Sequence, residues 1–183
     1  MSYSMIAVAC ALGLMAGGGQ SPAVQARPDF SGRWTTEPAA QTAPAAPARG
    51  RGPGRGDMGS GWGPTITITQ DARQLVIEYS VFARGDMQPP FRFTYALDGS
   101  ETKNSVMMGR GIQSQTSRAQ WDGTRLRITT QHAMTDPATN KPTTAQVVQT
   151  LSLESPTELV VETVRAGVLG AADTTTRTVY RKL

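Results

Sequence analysis

His132, the only histidine of the 183-residue sequence, is the side chain best suited to acid–base chemistry. An imidazole can activate a nucleophile when a carboxylate orients the ring, and Asp136 lies close in sequence. The surrounding residues lack the strand–turn–helix context of a nucleophile elbow. A single histidine at the end of a strand is typical of a solvent-facing residue, so we predict no catalytic residue and no enzymatic activity. An enzyme built on this chain would need His132, or carboxylates at the mouth of a barrel, as its catalytic groups.

A soft-metal site is the second chemistry that these residues suggest. Met134 shares a strand face with His132, and Met107 and Met108 add thioethers, which together with imidazole suit Cu(I). Adjacent strand residues point to opposite faces, so at most one of Met107 and Met108 could join such a site. Methionine is also an ordinary core residue. We therefore predict no metal and no cofactor.

The first 26 residues contain no Asp, Glu, Lys or Arg. The apolar run from Met5 to Ala16 is shorter than the ~20 residues of a membrane-spanning helix. A Gly-rich break and the small-x-small pattern "AVQA" follow, which predicts a signal peptide cleaved near Ala26 and a periplasmic or secreted protein. A positive charge before the apolar core is missing, so the start lies upstream or the signal is atypical; a buried N-terminal helix is the alternative. Cys10, the single cysteine, would be removed, and no other apolar run predicts a membrane span.

Residues 38–63 are rich in Pro, Ala, Gly and Arg and predict a flexible loop, because they carry too little apolar surface to offset the entropy of ordering. The arginines and Trp62 resemble Arg-Gly segments that bind nucleic acid. An exported chain seldom meets nucleic acid, so we expect no such partner. The net charge of +4 is compatible with weak contact to anionic envelope components, or with no specific partner.

Alternation of apolar and polar residues dominates the chain from Pro64 onward, and a helical period is missing. Asp-Gly pairs at Asp98 and Asp122 predict tight hairpins. Serial hairpins form an up-and-down antiparallel meander, and closure removes its exposed edges. The sequence therefore predicts one all-β domain over residues 27–183, an antiparallel up-and-down meander closing into a barrel of about eight to ten strands, a size that holds packed side chains or one small ligand.

The stretch "DFSGRW" (residues 29–34) and the C-terminal "VYRKL" together carry a family resemblance. Gly32 and Trp34 match the Gly-x-Trp of the first strand in the lipocalin/calycin superfamily, and Arg181 matches the basic residue of its last strand. The chain also resembles small exported bacterial proteins that begin "DFSGxW" and end "VYRK". The resemblance implies a lipocalin-like barrel in which Arg181 packs on Trp34 and which binds a small apolar or amphipathic molecule.

Aromatic residues on the predicted strands are the candidates for a cavity lining, although they can equally fill the core. The candidates are Trp34, Tyr79, Phe91, Phe93, Tyr95 and Trp121. We therefore predict non-catalytic binding of a small hydrophobic or amphipathic ligand, gated in part by the loop. The alternative is a filled barrel or sandwich that docks a protein or an anionic envelope polymer through the Arg/Gly-rich loop.

Overall fold

The computed structural model describes residues 26–36, 60–80, 90–108, 111–135, 139–166 and 172–183. The predicted signal peptide before Ala26 and residues 38–59 of the predicted loop lie outside these ranges. The described residues form ten strands: β1 (Gly32–Thr36), β2 (Thr65–Gln70), β3 (Gln74–Tyr79), β4 (Phe91–Ala96), β5 (Glu101–Met108), β6 (Gly111–Asp122), β7 (Arg125–Thr135), β8 (Pro142–Ser155), β9 (Glu158–Arg165) and β10 (Thr174–Lys182).

The ten strands form one antiparallel sheet in the order β4-β3-β2-β1-β10-β9-β8-β7-β6-β5. Strands adjacent in sequence pair with one another, except β4 and β5, which are the two edges of the sheet, and β1 pairs with β10. The sheet nearly closes into a barrel. The predicted all-β meander is confirmed, because strict period-two alternation leaves each strand one apolar face and the barrel gathers those faces inside.

A side chain bridges the two edge strands of this sheet. The Thr94 amide of β4 donates to Asn104 Oδ1 at 2.8 Å, and Asn104 Nδ2 donates to the Thr94 carbonyl at 3.0 Å. A carboxamide carries one acceptor and a donor group, so it reproduces the pair of bonds that a neighbouring strand would make. Asn104 thereby satisfies backbone groups at the β4–β5 seam.

The two ends of the barrel differ in their connections. The turn end carries the links at 71–73, 97–100, 123–124 and 156–157, and the connection end carries those at 37–64, 80–90, 109–110, 136–141 and 166–173. Asp-Gly hairpins lie at the turn end, where Gly99 and Gly123 adopt positive φ.

Fully buried apolar side chains fill the turn end. Phe30, Trp34 and Leu75 are 0% exposed, as are Leu126 and Leu159 beside the hairpins. The Trp34 indole donates to the Phe30 carbonyl at 2.9 Å. The chain before β1 thus crosses the turn end and closes it.

Lys182, rather than the predicted Arg181, is the cation on Trp34. Its Nζ lies 5.2 Å from the centre of the indole ring. Lys182 is the register partner of Trp34 and shares its face, whereas Arg181 projects from the opposite face and pairs with Glu158. The prediction was wrong by one residue, and in a strand one residue reverses the face.

Candidate ligand-binding site

The inward-facing side chains of strands β6 to β9 are apolar near the turn end and polar near the connection end. The polar residues are in phase with the apolar ones, so both sets face the interior. We call this surface the polar wall, and it comprises Gln115, Ser117, Thr130, His132, Gln149, Thr163 and Arg165. Most of these side chains are buried. Burial of polar groups costs free energy unless hydrogen bonds replace those to water.

An aromatic wall stands at the same end on β3 and β4. The ring of Tyr79 stacks on Phe93, with centroids 5.7 Å apart, and on Phe91 at 5.5 Å. Phe93 is buried, and Tyr79 and Phe91 are half-buried against the core. These three rings form a continuous apolar surface on two adjacent strands.

The two walls face each other. Four strands separate β3 from β8 in either direction round the barrel, and the same holds for β4 and β9. The aromatic wall on β3–β4 therefore lies across the interior from Gln149 and Thr163 on β8–β9. This end of the barrel is amphipathic from one side to the other.

Residues 60–63 lie inside the barrel and contact both walls, and we call this segment the floor. The Trp62 amide donates to Ser60 Oγ at 3.2 Å. The Ser60 hydroxyl lies 2.5 Å from the Tyr180 hydroxyl, which donates to the Gly63 carbonyl at 2.8 Å. Because the Tyr180 proton is directed to Gly63, the Ser60 hydroxyl is the donor between the two. This chain of hydrogen bonds fixes residues 60–63 in place. Burial raises the pKa of Tyr180 and the hydrogen bond with Ser60 lowers it, and the resulting pKa is about 12.

The floor reaches both walls. Gln149 Nε2 donates to the Ser60 carbonyl at 2.5 Å, and a Cβ on Gly63 would lie 3.7 Å from the Tyr79 ring. Trp62 is 3% exposed. Burial raises the pKa of Tyr95, an effect partly offset by a hydrogen bond with Trp62. The last four residues of the predicted 38–63 loop form no strand, and the burial of Trp62 and the bonds to Ser60 hold them in the core.

The polar wall satisfies its hydrogen bonds unevenly. The Ser117 and Thr130 hydroxyls pair at 2.9 Å, and Arg165 Nη1 donates to Thr176 Oγ1 at 3.2 Å. Thr163 is 0% exposed, and its Oγ1 has no hydrogen-bond partner. Buried hydroxyls are usually bonded, so the Thr163 hydroxyl is an exception within the polar wall.

The ionisable groups of the strands are sorted by face. Alternation and register turn the Asp and Glu side chains of the described strands outward, where Glu78, Glu101 and Glu154 pair with surface arginines. His132 and Arg165 face inward at the connection end. Burial lowers the pKa of His132, so the imidazole is neutral at pH 7.

The predicted cavity residues do not share one place. Tyr79, Phe91 and Phe93 form the aromatic wall, and Tyr95 lies below it beside Trp62. The other two candidates belong to the turn end. Trp34 is sealed in the core there, and Trp121 stacks on Phe30 at 5.9 Å under the guanidinium of Arg27.

His132 lies half-buried on the polar wall rather than facing solvent. Asp136 lies outside the described residues, as do the side chains of Met107, Met108 and Met134. Within the described ranges, no group of three or more His, Cys, Asp or Glu side chains is placed to hold a metal.

Sequence reasoning missed the polar wall, although a signal for it exists. Gln149 is in phase with Leu151 and Leu153, and Thr163 is in phase with Leu159 and Val161. A polar residue in phase with apolar ones predicts an inward polar group.

The fold and this site define a class of protein: an antiparallel meander of ten strands, nearly closed into a barrel, with an amphipathic interior at one end. Comparison with protein-family models and with curated proteins finds no match. In the part of the chain that the structure describes, no helix has the length and apolarity needed to cross a membrane.

Proposed function

We propose that this protein binds a small amphipathic molecule, without catalysis, at the connection end of its barrel. The observation that carries the proposal is the pair of facing walls, aromatic on β3–β4 and polar on β6–β9, with residues 60–63 in contact with both. Ligand sites are typically apolar surfaces with a few placed polar groups.

Each wall supplies a different part of the binding free energy. Contact with the rings of Tyr79, Phe91 and Phe93 removes apolar ligand surface from water, which contributes ~25 cal/mol per Å². Hydrogen bonds to the polar wall orient the other end of the ligand.

The proposal is tested with N-phenyl-1-naphthylamine, a neutral apolar fluorophore that brightens on leaving water. The chain from residue 27 onward should bind it, and Phe91→Ala should weaken binding about tenfold, equivalent to about 1.4 kcal/mol. Leu153→Ala is the matched control, because Leu153 packs half-buried against the core near the turn end. It should lower stability and leave probe affinity unchanged. Absence of probe binding to the unsubstituted chain contradicts the proposal.

We also propose that the protein is exported and that its signal peptide is removed near Ala26. The packing of the chain supports this boundary, because Arg27 already lies over the Trp121 ring at 5.3 Å and Phe30 is buried. The mass of the protein recovered from the envelope fraction of its host should equal that of a chain beginning at Arg27. Recovery of the full-length chain from the cytoplasm would contradict this.

A filled barrel that docks a partner is the second candidate, and the burial of Trp62 inside the barrel favours it. In that case an anionic envelope polymer or a protein binds through the Arg/Gly-rich segment. Replacing residues 40–58 with a Gly-Ser linker keeps Ser60 and Trp62 and separates the two functions. A docking protein loses its partner, whereas a barrel binder keeps its affinity for the naphthylamine probe.

A further inference from the structure

We infer that Gln115 and His132 form a subsite for a neutral headgroup that both donates and accepts hydrogen bonds, such as a carboxamide or a hydroxyl. This inference rests on the proposed function, since it names the chemistry of the ligand end that meets the polar wall. The subsite lies on β6 and β7, close to the seam between β4 and β5.

Gln115 and His132 are cross-strand neighbours that face the interior. They are register partners on β6 and β7, and directly opposed side chains in a sheet have Cβ atoms about 4.5–5.5 Å apart. Asn104 continues the same row on β5, and Ala145 continues it on β8. One small polar group can therefore contact the carboxamide and the imidazole together.

The Gln115 side chain is buried without a hydrogen-bond partner. The residue is 7% exposed, and no hydrogen bond joins its carboxamide to another residue of the described ranges. Burial of an unbonded carboxamide costs free energy. In the described part of the chain, the fully enclosed polar atoms that lack a partner are Trp121 Nε1 and Thr163 Oγ1. The polar atoms of Gln115 are not among them, so they keep surface that a ligand can contact.

The imidazole of His132 adds a second neutral group. Burial lowers its pKa, so the ring is neutral at pH 7 and offers one donor nitrogen and one acceptor nitrogen. A charged headgroup at this pair would exchange its hydration for neutral partners only, which is costly. A hydroxyl or a carboxamide exchanges its hydrogen bonds with water for equivalent ones, so the pair favours a neutral headgroup.

The aromatic wall lies within reach of this pair. Asn104, the β5 neighbour of Gln115, bonds through its carboxamide to the backbone of Thr94 on β4. Phe93 precedes Thr94, and its ring stacks on Tyr79 at 5.7 Å. The carboxamide of Asn104 is engaged at the seam, whereas that of Gln115 is available. A ligand whose headgroup meets Gln115 can therefore lay its apolar part on these rings.

The test uses decyl compounds as competitors of the bound naphthylamine probe. Decanamide, decanol, decyl methyl ether, decanoate and decyltrimethylammonium are compared below their solubility limits and micelle concentrations. Decanamide and decanol should displace the probe at concentrations about tenfold lower than the ether, which accepts a hydrogen bond but donates none. The two ions should compete no better than the ether. Whichever of decanamide and decanol competes better identifies the preferred headgroup.

Gln115→Leu should remove the preference for decanamide and decanol over the ether. The urea midpoint of this variant should rise, because leucine has no polar group to bury. His132→Leu should reduce the same preference. Gln131→Leu is the matched control, because Gln131 adjoins His132 on β7 but is exposed on the outer face, and it should leave the preference intact.

The outcomes separate the two proposals. If the unsubstituted chain does not bind the probe, the proposed function fails. If it binds the probe and the ether or an ion competes as well as decanamide and decanol, the inference is overturned. A preference that survives in Gln115→Leu also overturns it, as does a lower urea midpoint of that variant, because the carboxamide then has a structural partner.

Discussion

Gly32 lies in a backbone conformation that other residues rarely adopt, with φ +145°. A Cβ at this position would lie 2.6 Å from Lys182 Cε and 3.4 Å from the Trp34 indole nitrogen. The missing side chain lets the lysine stem cross β1 and place its ammonium over the Trp34 ring. Gly32 and Trp34 thus both take part in one contact at the turn end, that of the Lys182 side chain with the Trp34 ring.

Gly32→Ala should lower the free energy of unfolding by ~1–3 kcal/mol, since it forces a strained φ on a residue with a Cβ. Urea denaturation measures the loss. The double variant with Lys182→Ala separates the two causes. If backbone strain dominates, the losses add; if the clash with Lys182 dominates, removing the lysine stem rescues part of the loss. Unchanged stability in Gly32→Ala would contradict this account of the glycine.

At the scale of elements, the barrel depends on two devices that are not strand pairing. The floor at residues 60–63 is held by hydrogen bonds with Tyr180 and Gln149. The seam between β4 and β5 is bridged by Asn104. Both devices use side chains to satisfy backbone groups that a sheet of this shape leaves open.

Asn104→Ala should lower stability by ~1–3 kcal/mol, because it removes two hydrogen bonds from backbone groups that are partly buried. Hydrogen exchange at the Thr94 amide should accelerate more than the change in global stability accounts for, as the seam opens locally. Ser105→Ala, on the exposed face of β5, is the control and should change neither quantity. Continued protection of the Thr94 amide in Asn104→Ala would show that another group closes the seam.

At the scale of the whole molecule, outward and inward faces carry different charge chemistry. Ion pairs join the strands outside, as between Arg118 and Glu101 on β6 and β5. Inside, burial acts on His132 and shifts its pKa downward from 6.5. The unfolded chain therefore binds a proton at this residue before the folded chain does as the pH falls.

Stability should consequently decrease as the pH falls below 6.5 toward the lower folded-state pKa of His132, and this contribution is fully present above 6.5. His132→Gln should remove that part of the pH dependence and should not change the loss of stability at lower pH. The loss of stability at lower pH comes from carboxyls such as Asp98, whose pKa is lowered from 3.8 by hydrogen bonds from Ser100. Midpoints of urea unfolding between pH 5 and 8 provide the measurement. An equal slope in His132→Gln would contradict the assignment.

Local patterns in the chain determined the fold, because the period of apolar residues and the Asp-Gly pairs act over a few positions. Alternation around Phe93 and Leu75, and the turns at Asp98 and Asp122, predict strands and hairpins without knowledge of their partners. Closure of the meander into a barrel is predicted because an open sheet would leave the backbone groups of its two edge strands unpaired.

Contacts between distant residues were decided only by the tertiary structure. The sequence does not show that Ser60 reaches Tyr180 and Gln149, since the composition around it is that of a loop. Lys182 rather than Arg181 meets Trp34 because Val179 and Tyr180 are both apolar, which leaves the phase of β10 undetermined until β1 sets its register. The facing of the aromatic and polar walls follows from the order of ten strands round a barrel, a long-range arrangement that local alternation does not encode.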